Sequence, residues 1–277
     1  MKVRIGALNE RDPTLLTLYH YDRSTAAQRV RLLIEEKQLP WKSVIVDTAR
    51  GDVAQLPDNY HELNPKGLVP VVENNGTGIA ESNVILEYLD DAFPETSFRP
   101  PSAEDRARMR QWMKRIDDGV HVASRTIGVC IVNRFIYLER GEDQIKKYHA
   151  HMRDLVRRDN DQVNISMGLE SPLLPDALKV FSWLFEDMNA RLENHDWLAG
   201  DAYSLADIAL VVYLRRMESF MMAPLWAHLD HLNDWYQRIA NRPAYHRAVE
   251  EWGDITSAKR TEHGAGAFET IAKLWTA

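Results

Sequence analysis

The spacing of apolar residues changes character near residue 100, and the elements it predicts change with it. Residues 15–21, Leu-Leu-Thr-Leu-Tyr-His-Tyr, form a short run rich in strand formers. Residues 26–38 carry Val30, Leu33 and Ile34 at helical spacing, and Pro40 closes that helix. Val44-Ile45-Val46 reads as a second strand, and the polar stretch 53–63 as irregular helix. Residues 69–73 and 77–80 flank Asn74-Asn75-Gly76, a strong hairpin signal. Residues 81–92 then place Val84, Ile85, Tyr88 and Leu89 on one helical face. The predicted order is β-α-β-α-β-β-α. Strand–helix–strand units favour parallel pairing through right-handed crossovers, and the hairpin adds antiparallel strands.

Residues 93–102 contain Pro94, Pro100 and Pro101 and read as a linker. Everything beyond is helical in pattern: 103–137, 144–158, 176–193, 227–240 and 243–252, with a polar crossing over 157–171. Ser204-Leu205-Ala206-Asp207 opens the clearest helix. Ser204 and Asp207 have capping-box spacing, and Tyr203 with Ile208 suits a hydrophobic staple. The expectation is an α/β domain over 14–93, a linker over 94–102, an all-helical domain over 103–252 and a C-terminal extension over 253–277. Residues 1–12 read as a loosely packed extension.

Composition narrows the function. The chain has 277 residues, 45% hydrophobic and 27% charged, as a globular protein does. A net charge of −7 argues against a general nucleic-acid binder, since phosphate contacts need a basic surface. Cys130 is the single cysteine, so no intramolecular disulfide forms, and a reducing compartment is expected. No run of about 18 apolar residues marks a membrane span, and the first residues lack a signal-peptide core. The expected location is the cytoplasm.

Three short stretches carry candidate chemistry. Ser24 and Thr25 stand where the first strand turns into the first helix. Pro70, inside an apolar strand, marks either an edge position or a cis peptide bond. A cis bond would turn the Val69 amide and carbonyl outward, where a peptide ligand pairs like an added strand. Glu81-Ser82 lies where the hairpin meets a helix. Ser82 there is either a plain cap or part of an anion site at the helix N-terminus. Glu81 beside it suits an ammonium, so the pair fits an amino-acid head group.

Taken together, Asn64-Pro65-Lys66-Gly67-Leu68-Val69-Pro70-Val71-Val72, Glu81-Ser82 and Ser204-Leu205-Ala206-Asp207 resemble the glutathione transferases over roughly residues 14–250. The resemblance implies a thioredoxin-like N-terminal domain followed by an all-helical C-terminal domain. It implies glutathione as co-substrate, a small hydrophobic electrophile and a homodimer. Leu68, Val69 and Pro70 would hold the cysteinyl part, Glu81 and Ser82 the γ-glutamyl end, and Arg23 would lie in the same site. The turn Tyr19-His20-Tyr21-Asp22-Arg23-Ser24-Thr25 with Arg29-Val30-Arg31 is similar to the zeta class, in which a serine faces the sulfur. Ser24 is therefore the expected thiolate partner; Thr25 is the second candidate or the helix cap. Lowering a thiol pKa from roughly 8.5 to about 6.5 requires about 2.7 kcal/mol. A charge-assisted hydrogen bond supplies about 1.5–3 kcal/mol and a helix N-terminus about 0.3–1 more, so no metal or base is needed.

A narrower resemblance to bacterial glutathione-dependent β-etherases runs through residues 81–95, Arg99-Pro100 and Thr126-Ile127-Gly128, although the serine-bearing turn departs from it. It points to an aromatic electrophile held by His121, Arg125, Ile127, Tyr213, Met217, Phe220 and Met221, which at helical spacing also fit a plain core. A zeta-like cis-trans isomerase and a non-catalytic glutathione-binding module are the alternatives. The turn has no cysteine, which disfavours reductive dehalogenation, and Cys130 sits in an apolar helical stretch. His149 and His151 point to different helix faces, and His228 with His231 lacks further ligands, so no metal is expected. The basic run from Arg106 to Arg115 reads as a solvated face, since Glu104, Asp105, Asp117 and Asp118 flank it.

Overall fold

The computed structural model describes residues 15–46, 60–150, 152–252 and 257–275. Strands β1 (Leu16–His20), β2 (Trp41–Ile45), β3 (Val71–Asn74) and β4 (Thr77–Ala80) form one sheet in the order β2-β1-β3-β4. β1 and β2 pair in parallel across helix α1 (Thr25–Glu36), whereas β1–β3 and β3–β4 are antiparallel. Asn75 (φ 50°) and Gly76 (φ 77°) form the two-residue hairpin loop. Positive φ at both positions is what a primed turn demands, and Asn-Gly meets it at little cost. This half is the thioredoxin-like domain. Residues 53–59, part of the expected irregular helix, lie outside the described residues; α2 (Tyr60–Leu63) follows.

Helix α3 (Ser82–Ala92) corrects one sequence expectation. Val84 is 56% exposed, whereas Leu86 is fully buried. The buried arc is Ser82, Ile85, Leu86, Leu89 and Asp90, which follows the i, i+3, i+4, i+7, i+8 stripe. Asp90 belongs to it because Lys37 Nζ lies 2.8 Å from its carboxylate, with both side chains 2% exposed. Asp90 also accepts from Phe98 N and Ser97 Oγ, which pins the segment leading into the helical half.

That half begins with α4 (Ala103–Arg115), capped by Ser102, then α5 (His121–Gly128) and α6 (Arg134–Arg140). Two π turns, over 116–120 and 129–133, join them into one long bent run. Beyond α7 (Glu142–Ala150) the structure departs from the expected helix over 144–158 and polar crossing over 157–171. Asp154 captures the Arg157 amide at 3.0 Å and starts α8 (Leu155–Met167). Asp161 and Asn164, polar in sequence, face inward because Arg125 and Ser171 bind them. Tertiary partners overrode the polarity signal.

Helices α9 (Leu174–Leu192), α10 (Leu205–Glu218), α11 (Asp230–Ala240) and α12 (Pro243–Tyr245) complete the expected set. α10 is central: residues 208–214 are fully buried, and its capping box forms as expected. The C-terminal extension contains α13 (Ser257–Trp275), a helix that the sequence pattern did not predict. It packs on α9, and a Cβ at Gly264 would come within 2.2 Å of the Phe220 carbonyl oxygen. Close backbone approach explains that glycine.

Candidate active site

Helix α1 starts at a polar turn facing the helical half. Ser24 is its N-cap: the extended backbone (φ −71°, ψ 112°) lets Oγ accept from Ala27 N at 3.2 Å. Thr25 is the first helical residue and is not the cap. Its Oγ1 instead accepts from Arg216 Nε at 3.0 Å, and Arg216 also donates to the Arg23 carbonyl. Ser24 stays half-buried while Thr25 is buried. A hydroxyl that accepts one amide proton still has its own hydrogen to donate. Arg23 donates to the Tyr21 hydroxyl through Nε (3.1 Å) and Nη2 (2.8 Å).

A second polar cluster forms where α1 crosses the start of α3. Arg29, 2% exposed, donates to Ser82 Oγ at 2.5 Å and to Asn83 Oδ1 at 2.9 Å. Its Nε is buried without a partner. Ser82 lies inside the helix and Glu81 is the cap residue, at φ 68° and without a side-chain cap bond. The Glu81 carboxylate takes Lys66 Nζ at 2.7 Å, but both side chains are more than 60% exposed (62% and 64%). Such a pair is worth about 0–1 kcal/mol. The Val69–Pro70 peptide is cis. Tyr60 OH (2.5 Å) and Asn64 Nδ2 (2.8 Å) both donate to the Leu68 carbonyl and steady the loop before it.

The helical half supplies a third cluster. His121 opens α5, and its Nδ1 lies 3.0 Å from the hydroxyl of the fully buried Tyr213. Desolvation of the ring, and then the charges of Arg29, Arg157, Arg125 and Arg216, push the imidazole down to about 3. His121 is nevertheless exposed as a residue, unlike the Tyr213 behind it. Arg125 is held by both oxygens of Asp161 and by Tyr148 OH at 3.0 Å. Met217, Ile127 and Phe220 are enclosed in the core, at most 1% exposed, whereas Met221 is 43% exposed. Helical spacing alone does not separate these two situations.

Next to the turn lies a cleft of about 230 Å3, lined among others by Arg23, Gln28, Arg216, Met221, Trp252 and Arg260. Arg260, from α13, has its guanidinium 6.0 Å from the Phe220 ring centroid. Sequence reasoning missed the contacts of Arg29 and Arg216 and the helix α13. The Arg29-Val30-Arg31 triplet was the one available signal, because two arginines on an otherwise buried helix need tertiary partners. Arg31, fully buried, donates to His20 Nδ1 (3.0 Å) and the Ala248 carbonyl (2.8 Å). Cys130 is buried and its thiol is pushed up to about 12 by burial, so it is no nucleophile. No group of three or more His, Cys, Asp or Glu among the described residues is placed to hold a metal ion.

Two family profiles match the chain. One is described as the glutathione S-transferase N-terminal domain, over residues 18–97, and the other as the C-terminal domain, over residues 173–243. Protein LigF of Sphingobium sp. is 26% identical over 85% of this chain and 93% of its own length. FtsZ-localized protein A of Caulobacter vibrioides is 25% identical over 87% and 94%. A maleylacetoacetate isomerase of Pseudomonas aeruginosa is 24% identical over 85% and 94%. The crystal structure of the β-etherase LigF superposes with a TM-score of 0.76 at 24% identity, covering 86% of this chain and all of LigF (100%).

Proposed function

The chain belongs to the glutathione transferase superfamily, and on that premise we propose that Ser24 stabilises the glutathione thiolate for attack on an aromatic electrophile. The observation that carries the reading is the position of Ser24. It caps α1, half-exposed, with its hydroxyl hydrogen uncommitted, beside the positive end of the helix. A thiolate there receives a hydrogen bond, and the Arg216 guanidinium next to it adds favourable charge.

The tripeptide is placed by the remaining clusters. The γ-glutamyl carboxylate binds Ser82 Oγ, where the Arg29 guanidinium, hydrogen-bonded to the neutral oxygens of Ser82 and Asn83, supplies the countercharge. The ammonium takes the place of Lys66 on Glu81, an exchange made cheap by the exposure of that pair. The cysteinyl amide and carbonyl pair with the Val69 backbone, and Arg23 and Leu68 border the same site. His121 and Arg125, with Tyr213 behind them, face the electrophile. Similarity to LigF makes β-aryl ether cleavage the first reaction to test. Thiolate attack on the ether-bearing carbon forms a C–S bond, and the phenoxide leaves with the electron pair.

Isothermal titration should show saturable glutathione binding, and no heat at millimolar ligand would overturn the reading. A panel of aryl β-ethers and haloaromatics should consume thiol in step with product. Similarity to a maleylacetoacetate isomerase, with the serine turn, supports a second reading in which glutathione is recycled. Turnover of maleylacetone with glutathione left unconsumed would select it.

A further inference from the structure

Asn64, buried just beyond α2, organises the loop that leads to β3 with three groups at once. Its Oδ1 accepts from Lys66 N at 3.0 Å, and its carbonyl accepts from Gly67 N at 2.9 Å. Its Nδ2 donates to the Leu68 carbonyl at 2.8 Å. Gly67 takes φ 64°, the left-handed conformation that lets the chain turn back over Asn64. A side-chain amide supplies acceptor and donor together, whereas a carboxylate would only accept. Tyr60 OH donates to the same Leu68 carbonyl at 2.5 Å, so both lone pairs of that oxygen are taken. Tyr60 is itself held in place. It is buried, its ring lies 5.4 Å from that of Tyr19 on β1, and Tyr19 OH donates to Glu73 on β3.

Two donors on one carbonyl do more than close a loop. A carbonyl and the amide that follows it belong to one planar unit. The Leu68–Val69 peptide is trans, so its C=O and N–H point in opposite directions. With the carbonyl drawn toward Tyr60 and Asn64, the Val69 N–H is turned away from them. No acceptor among the described residues takes that amide, and Val69 is half-buried. Backbone donors away from water need an acceptor, and one fixed in direction beside a cleft suits a ligand. Fixing it in advance lowers the ordering cost of binding.

We propose that Tyr60 and Asn64 are positioning residues: by clamping the Leu68 carbonyl they aim the Val69 amide at the cysteinyl carbonyl of glutathione. This rests on the transferase reading, and the test keeps the two apart. Calorimetry compares γ-glutamylcysteinamide, which keeps the cysteinyl carbonyl, with γ-glutamylcysteamine, which lacks it and carries the same charge. The wild-type protein should bind the carbonyl-bearing ligand about tenfold more tightly, the value of one hydrogen bond. Tyr60→Phe removes only a hydroxyl and should cut that preference to about threefold or less. Adding Asn64→Ser, whose hydroxyl can still accept from Lys66 N, should erase it. Binding of γ-glutamylcysteamine should be the same in all three proteins, whereas general loosening of the loop would weaken both ligands in proportion. Circular dichroism checks the fold, and Tyr60→Phe decides alone where the double variant is unfolded. An unchanged preference in Tyr60→Phe, or a proportional loss of both ligands, overturns the clamp and leaves the transferase reading standing. Failure of the wild-type protein to bind glutathione overturns both.

Discussion

If Ser24, the cap of α1, also holds the thiolate as proposed, its replacement has two separable effects. Loss of the cap from Ser24→Ala should cost about 0.5–2 kcal/mol of stability, seen in denaturant unfolding. Loss of the hydroxyl donor should raise the pKa of bound thiol and cut turnover about 10–100-fold, equivalent to about 1.4–2.7 kcal/mol. Ultraviolet titration of the bound thiolate checks this, and an unchanged pKa would move the role to Thr25 or the helix amides. Ser82 makes the opposite prediction, because its proposed contact with the γ-glutamyl end lies away from the sulfur. Ser82→Ala should weaken glutathione binding by about 1.5–3 kcal/mol while kcat stays nearly constant. His20 supplies a pH prediction. Arginine has no acceptor, so His20 Nδ1 must accept from Arg31 and Nε2 must donate to Ser43 Oγ at 2.8 Å. Burial, and then Arg31, push this imidazole down to about 2. A histidine whose folded pKa lies below its unfolded value binds protons preferentially when unfolded. Its contribution is complete above about pH 6.5 and is lost as pH falls from there toward 2. Thermal unfolding from pH 8 to 4 should show stability falling below pH 6.5, and His20→Gln should flatten that fall.

Among the elements, α10 and α13 carry most of the arrangement. Asp207 is fully buried and accepts from Ser204 N (2.9 Å), Ser204 Oγ (2.8 Å), Leu198 N (3.0 Å) and Trp235 Nε1 (2.8 Å). Removing it strands several donors at about 1–3 kcal/mol each, so Asp207→Ala should destabilise far more than Ser204→Ala, whose cost is about 1 kcal/mol. Chemical denaturation of the two variants gives the comparison. Helix α13 rests on the contact of Gly264 with Phe220, and Phe135 stacks on His263 at 3.8 Å. A methyl at residue 264 meets backbone and not a movable side chain. Gly264→Ala should therefore displace α13, raise hydrogen exchange over residues 257–275 and open the cleft that Arg260 borders.

At the scale of the molecule, α1 joins the two halves. It packs on α10 and on the π turn over 246–250. Arg242 binds Glu36 through two hydrogen bonds (2.6 and 2.8 Å), and Arg247 binds Glu35 at 2.7 Å. Arg31 reaches from α1 to the carbonyl of Ala248. The Ser24–Thr25 turn, clamped by Arg216 across the same boundary, requires both halves to be folded. Unfolding should accordingly appear as one transition, with far-ultraviolet dichroism and tryptophan fluorescence coincident.

The sequence by itself determined the elements with strong local codes. β1, the Asn75-Gly76 hairpin and the Ser204–Asp207 capping box were legible because turn, cap and period act over a few residues. The sheet-then-helices architecture followed from their order. The candidate positions Ser24, Pro70, Glu81 and Ser82 were visible for the same reason: each breaks a local rule at an element boundary. Tertiary structure decided what depends on residues distant in the chain. It turned α3 so that Leu86, not Val84, is buried, and it folded 155–167 as helix around the buried Asp161 and Asn164. It also made Ser24 rather than Thr25 the cap. Above all it brought Arg29 to Ser82 and Asn83, Arg125 to Asp161 and Arg216 to Thr25, each from a different helix. A charged residue looks the same in sequence whether it meets water or a ligand, because long-range packing sets its surroundings.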